Sequence, residues 1–193
     1  MKPKQILLRS MQLVFATLLL LCAAPALHAQ QIAIKTNGLM LAAMAPNAGC
    51  EFVVGERSSI DLSAFGSVNI YGNKAKILGF QPEYRYWFNG RPMTREYVGI
   101  AALGTTYDIT WGEQVYKGDA FGAGITFGYA LNLNKRLNVE FYGGFGAVYF
   151  NQKQHYKTDN LDDYVENGVT QANANGYKLL PIKLGVSISY ILK

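Results

Sequence analysis

The chain has little of what most site chemistry is built from: two cysteines, two histidines and two tryptophans in 193 residues, of which 16% are charged. Cys22 falls in an N-terminal segment read below as a signal. That leaves Cys50 alone and excludes an intramolecular disulfide even in an oxidising compartment. His155 is the one histidine outside the same segment, and no serine lies near it. A Ser-His-acid hydrolase needs a base set against its nucleophile, and the His-x-Ser pairing of lipid A deacylase barrels is here His155-Tyr156-Lys157. The residues therefore predict no catalytic group and no enzyme. The formal charge of +5 falls to +2 once Lys2, Lys4 and Arg9 are removed with the signal, which gives no reason to propose a nucleic-acid partner.

Residues 1–29 read as a secretory signal. Lys2, Lys4 and Arg9 are basic, Met11 to Leu21 is apolar apart from Gln12 and Thr17, and Leu27-His28-Ala29 offers a cleavage site before Gln30. The apolar run is shorter than the roughly 20 residues of a membrane-anchoring helix, and it ends at Pro25. Residues 30–193 then form one domain.

What this domain has in quantity is alternation. From Leu180 to Leu192, Leu180, Ile182, Leu184, Val186, Ile188, Tyr190 and Leu192 share one parity, and mainly small or polar residues share the other. A period of two makes a strand with one apolar face. Seven more such segments precede it: Ile32 to Leu41, Ala48 to Gly55, Ser59 to Ile70, Ile77 to Phe88, Glu96 to Asp108, Ala120 to Asn132 and Leu137 to Phe150. Short turns follow the second, fourth and sixth segments, and longer loops, including Ile109 to Gly118 and Asn151 to Gly176, follow the third, fifth and seventh. This is the order of a bacterial outer-membrane barrel with periplasmic termini. A soluble barrel or sandwich would instead expose the Gly-, Ala-, Ser- and Thr-rich parity, a poorly charged surface. The fold class is therefore all-β: an eight-stranded, antiparallel, up-and-down transmembrane β-barrel after a signal peptide. Pro82 and Pro181 lack an amide donor and predict a bulge or strand end at each position.

The inward parity carries Lys35, Glu51, Asp61, Glu83, Arg85, Glu140 and Lys183. Unpaired ions in a narrow lumen cost several kcal/mol each, so these seven are expected to pair and plug it. Strand adjacency points to Lys183 with Glu140, Lys35 nearby, and Arg85 with Glu83 and Asp61. Tyr84, Tyr86, Trp87, Phe88, Tyr129 and Tyr190 lie near strand ends, where they are expected to form an interfacial girdle, and Trp111 is assigned to the same role. The last long loop, with His155, Tyr156, Asp159, Asp162, Asp163 and Glu166, is the expected external contact surface. Its carboxylates lack the spacing of a calcium loop, so no metal or other cofactor is assigned.

Several strings resemble the small outer-membrane proteins of Bacteroidetes grouped as domain-of-unknown-function family 3575. They are Lys35-Thr36-Asn37, Pro46-Asn47-Ala48-Gly49-Cys50-Glu51, Gln81-Pro82-Glu83-Tyr84-Arg85-Tyr86-Trp87-Phe88 and Lys135-Arg136-Leu137-Asn138-Val139-Glu140. The resemblance implies an OmpA- or OmpX-like barrel of unknown activity and transfers no catalytic residue. Together these readings predict a monomeric, plugged barrel of the bacterial outer membrane that acts through its external loops in envelope structure, adhesion or surface-appendage assembly. Outer-membrane lipid and other envelope proteins are the expected partners. A narrow pore and a lipid-modifying enzyme are the alternatives.

Overall fold

The computed structural model describes residues 31–70, 73–156, 165–166, 169–170 and 174–192. The expected signal, together with Asp159, Asp162 and Asp163, lies outside them. The strands are β1 (Ile32–Asn37), β2 (Asn47–Val53), β3 (Ser58–Ile70), β4 (Asn73–Trp87), β5 (Arg95–Trp111), β6 (Gln114–Asn132), β7 (Leu137–Tyr156), β8 (Val165–Glu166), β9 (Val169–Thr170) and β10 (Ala174–Ile191), with a short helix α1 (Gly38–Ala42) after β1. Eight of them close an antiparallel ring in which sequence neighbours pair and β10 returns to β1. β8 and β9 form a separate two-stranded ribbon.

Alternation dictates what each face of the ring shows. Ile100, Phe121, Phe127, Phe145 and Leu184 point outward and are more than half exposed, while the opposite parity turns inward. The ring therefore has an apolar outside and a mixed, close-packed inside.

Several strand boundaries differ from the sequence pattern, among them the start of β4 at Asn73 rather than Ile77 and that of β10 at Ala174 rather than Leu180. The first strand ends at Asn37 rather than Leu41, because the Asn37 side chain accepts from the amides of Leu39 and Met40 and caps α1. The alternating Leu39 and Leu41 had the look of a strand, yet they belong to this helical turn. The expected loop Ile109 to Gly118 is a continuation of β5 and β6, paired as far as Trp111 and Gln114. β7 likewise runs on to Tyr156, so His155 and Tyr156 stand in a strand rather than a loop.

The two prolines behave differently. Pairing of β10 with β7 shifts between Pro181 and Lys183, so Ile182 is an extra residue, and the bulge turns both Ile182 and Lys183 inward. Ile182, expected on the outer face, is thus buried. No bulge forms at Pro82. The β4–β5 ladder passes from Phe80 and Gly104 to Glu83 and Ala101 in unchanged register, with Gln81 and Pro82 unpaired. Trp87 also departs from its girdle assignment: it shares the parity of Arg85 and Glu83 and is fully buried.

The interior is layered from the strand-terminus end upward. The turn between β4 and β5 folds in as a stopper, with Met93 buried and its carbonyl accepting from Asn132 Nδ2 and Asn138 Nδ2, both at 3.1 Å. Trp87, Tyr97 and Ala130 pack in the next layer, against Tyr142. A layer of charged residues follows. Above that, Ala101, Ala120, Val148 and Ile182 form an apolar cluster with Leu103, Tyr107 and Phe150 against it. Beyond the cluster is a cavity of about 730 Å³ among β3 to β7.

Candidate functional site

Seven charged side chains meet inside the ring because their strands present them on the inward parity at neighbouring heights. Lys35 of β1, Glu51 of β2, Asp61 of β3, Glu83 and Arg85 of β4, Glu140 of β7 and Lys183 of β10 are all buried. Arg85 is the hub. Its Nη1 donates to Glu51 Oε2 at 2.9 Å and Glu140 Oε2 at 3.0 Å, and its Nε donates to Glu83 Oε2 at 2.9 Å. Its Nη2 lies 2.8 Å from Glu83 Oε2 and 3.4 Å from Asp61 Oδ2. Lys35 Nζ reaches Glu140 at 2.7 Å and Asp61 at 3.2 Å, and also contacts Glu51.

Lys183 does not pair with Glu140 as adjacency suggested. Its Nζ donates to Glu83 at 2.7 Å and Asp61 at 2.9 Å, across the lumen. Register is the reason: the partner of Glu140 is Ser187, whereas Lys183 sits four residues along beside Gly144, and a four-carbon stem spans the narrow interior. Glu140 is held by Lys35 and Arg85 instead.

Each of the seven ions contacts at least two of opposite sign. Uncharged neighbours complete the shell. Ser59 donates to Glu51, Ser63 to Asp61 and Thr126 to Glu83, while Trp87 Nε1 donates to Ser59 Oγ at 2.8 Å. The Arg85 guanidinium lies 4.5 Å from the centre of the Tyr97 ring. Gly99 makes the Thr126–Glu83 contact sterically feasible, since a Cβ there would lie 2.5 Å from Thr126 Oγ1 and 2.7 Å from Glu83 Oε1. Such paired burial is tolerated where a lone ion is not.

Sequence reasoning missed Trp87, Tyr97 and Met93 as parts of this interior, whereas Asn138 falls on the inward parity of its strand and is buried as that parity implies. The parity of Tyr97 with Gly99 and Ala101, and of Trp87 with Arg85, carried the signal. At the far end, Tyr156 Oη accepts from Gln114 Nε2 at 3.1 Å, and His155 faces Val115 across the ladder. Glu166 falls in β8. Among the described residues no group of His, Cys, Asp and Glu is placed to hold a metal ion.

A closed ring of eight antiparallel strands with an apolar exterior and an ion-paired interior defines the class: a small β-barrel. The chain belongs to the family described as Protein of unknown function (DUF3575), whose model matches residues 15–192. Comparison with curated proteins and with solved structures found no match.

Proposed function

We propose that the protein spans the bacterial outer membrane as a non-conducting, non-enzymatic barrel that acts through its external end in envelope structure, adhesion or surface-appendage assembly. The observation that carries this reading is the inversion of faces: exposed Phe, Ile and Leu surround the ring while seven charges are sealed within it. A soluble protein would place them the other way round. The heights of the strands add support. β6 has 19 residues and β7 has 20, against about 9–11 needed to cross a bilayer, so this panel projects well beyond the membrane and offers a rigid base for contacts.

Cell fractionation joined to a gel test checks the reading. The protein is expected in the outer-membrane fraction, with a mobility in detergent that shifts on boiling. Recovery in the soluble fraction without a heat-dependent shift would refute it. Deletion should leave the lipid A profile unchanged, and an altered acylation pattern would favour the enzyme alternative.

A further inference from the structure

We propose that the three turns at the strand-terminus end form a basic collar that binds the phosphates of anionic phospholipid headgroups around the barrel. The inference rests on the membrane-spanning reading and deepens it by naming the lipid class that one end selects.

The distribution of charge locates the collar. Without residues 1–29 the chain carries a formal charge of +2, and the seven sealed ions carry −1, so all other residues together carry +3. The turns between β2 and β3, β4 and β5, and β6 and β7, with the first residues of β5, hold Arg57, Arg91, Arg95, Lys135 and Arg136 against only Glu56 and Glu96, and all of these are exposed. That end carries the whole excess, and the remaining acids and bases balance. Among the described residues none of the five bases is ion-paired, whereas at the opposite end Lys117 lies 4.0 Å from Asp108.

Register sets each turn at the edge of the apolar exterior. Val54, Phe88 and Leu133, each exposed, stand within three residues of Arg57, Arg91 and Lys135. Across the ladders, Tyr86 pairs with Ser58 beside Arg57, Tyr129 with Glu96 beside Arg95, and Tyr190 with Leu137 beside Arg136. These three tyrosines are 39–41% exposed. Tyrosines bordered by bases are the order expected where hydrocarbon gives way to headgroups: the amphipathic ring sits at the interface, and the long basic side chain extends past it toward phosphate.

The spread of the bases selects the partner. A protein docking from one side would reach one or two turns, whereas the bases occupy three hairpins distributed around the closed ring. A layer of headgroups surrounds the barrel and meets them all. Each base held near such a surface gives roughly a fivefold preference for anionic lipid.

The test is electron paramagnetic resonance of the full chain folded in phosphatidylcholine vesicles that contain trace spin-labelled phosphatidylglycerol or phosphatidylcholine, which reads the fraction of each lipid held at the protein surface. Phosphatidylglycerol should be held about twofold more strongly, the fivefold preference at the collar being diluted by contact positions without a base. The preference should vanish at about 1 M salt. Arg57→Gln/Arg91→Gln/Lys135→Gln/Arg136→Gln should abolish it while the heat-dependent mobility persists, and Lys74→Gln/Lys76→Gln/Lys117→Gln/Lys153→Gln, at the opposite end, should leave it in place. Equal retention of the two labels by the wild type would overturn the proposal in favour of an acidic protein partner. A preference removed by the opposite-end variant and kept by the turn variant would overturn it too. Absence of a retained fraction for either label would instead refute the membrane reading beneath it.

Discussion

Replacing Arg85 by Met removes the one side chain that touches all four buried carboxylates. Lys35 and Lys183 would then face Glu51, Asp61, Glu83 and Glu140, and the interior would carry a net charge of about −2 in place of −1. Breaking a buried ion pair from one side costs about 3–5 kcal/mol, and the lost contact with the Tyr97 ring adds to this. A loss of about 4 kcal/mol lowers the folding equilibrium constant roughly a thousandfold, a large part of the 5–15 kcal/mol typical of a domain. Urea unfolding of the protein in lipid vesicles, followed by tryptophan fluorescence, reads this directly. The double variant Arg85→Met/Glu140→Gln restores the net charge and should recover at least about 1 kcal/mol of the loss. An Arg85→Met protein as stable as the original, or a double variant less stable than the single one, would refute the assignment of Arg85 as hub.

Other consequences are equally exposed to measurement. A double-mutant cycle between Lys183→Met and Glu83→Gln should give a coupling of about 2 kcal/mol, larger than the cycle of Lys183→Met with Glu140→Gln. With Trp111→Phe, Trp87 remains as the sole emitter and should resist iodide quenching, whereas Trp111 in the Trp87→Phe variant should be quenched readily; the latter change also costs about 1 kcal/mol through its lost bond to Ser59. Cys50 lies on the outward parity of β2, opposite Ile34, and should react with a membrane-permeant maleimide but not a charged one in vesicles.

Much of this architecture is legible as parity. A strand with one apolar face must alternate, so the eight ring strands and the seven inward charges can be read from residue order alone. Parity fails where the backbone inserts a residue. Pro181 announces the bulge that forms after it, yet Ile182 still reads as outward, because a missing donor does not say which residue is inserted or which way its side chain turns. The partner of Lys183 fails for a related reason: strand adjacency ignores the reach of a lysine stem across a narrow lumen. Trp87 shows the opposite error, since its position near a strand end outweighed the parity it shares with Arg85. The end of β1 is hidden because Leu39 and Leu41 alternate as strand residues do, while the Asn37 cap that starts α1 is a local hydrogen-bond choice.

The central claim is a membrane-spanning barrel whose interior is closed by ion pairs and by the Met93 stopper, and single-channel recording across a planar bilayer tests it most directly. The account predicts insertion, shown by protease protection of the ring strands in matching vesicles, with no stable conductance steps. Reproducible steps from the inserted wild-type protein, abolished when Glu140 or Lys183 is replaced, would contradict it.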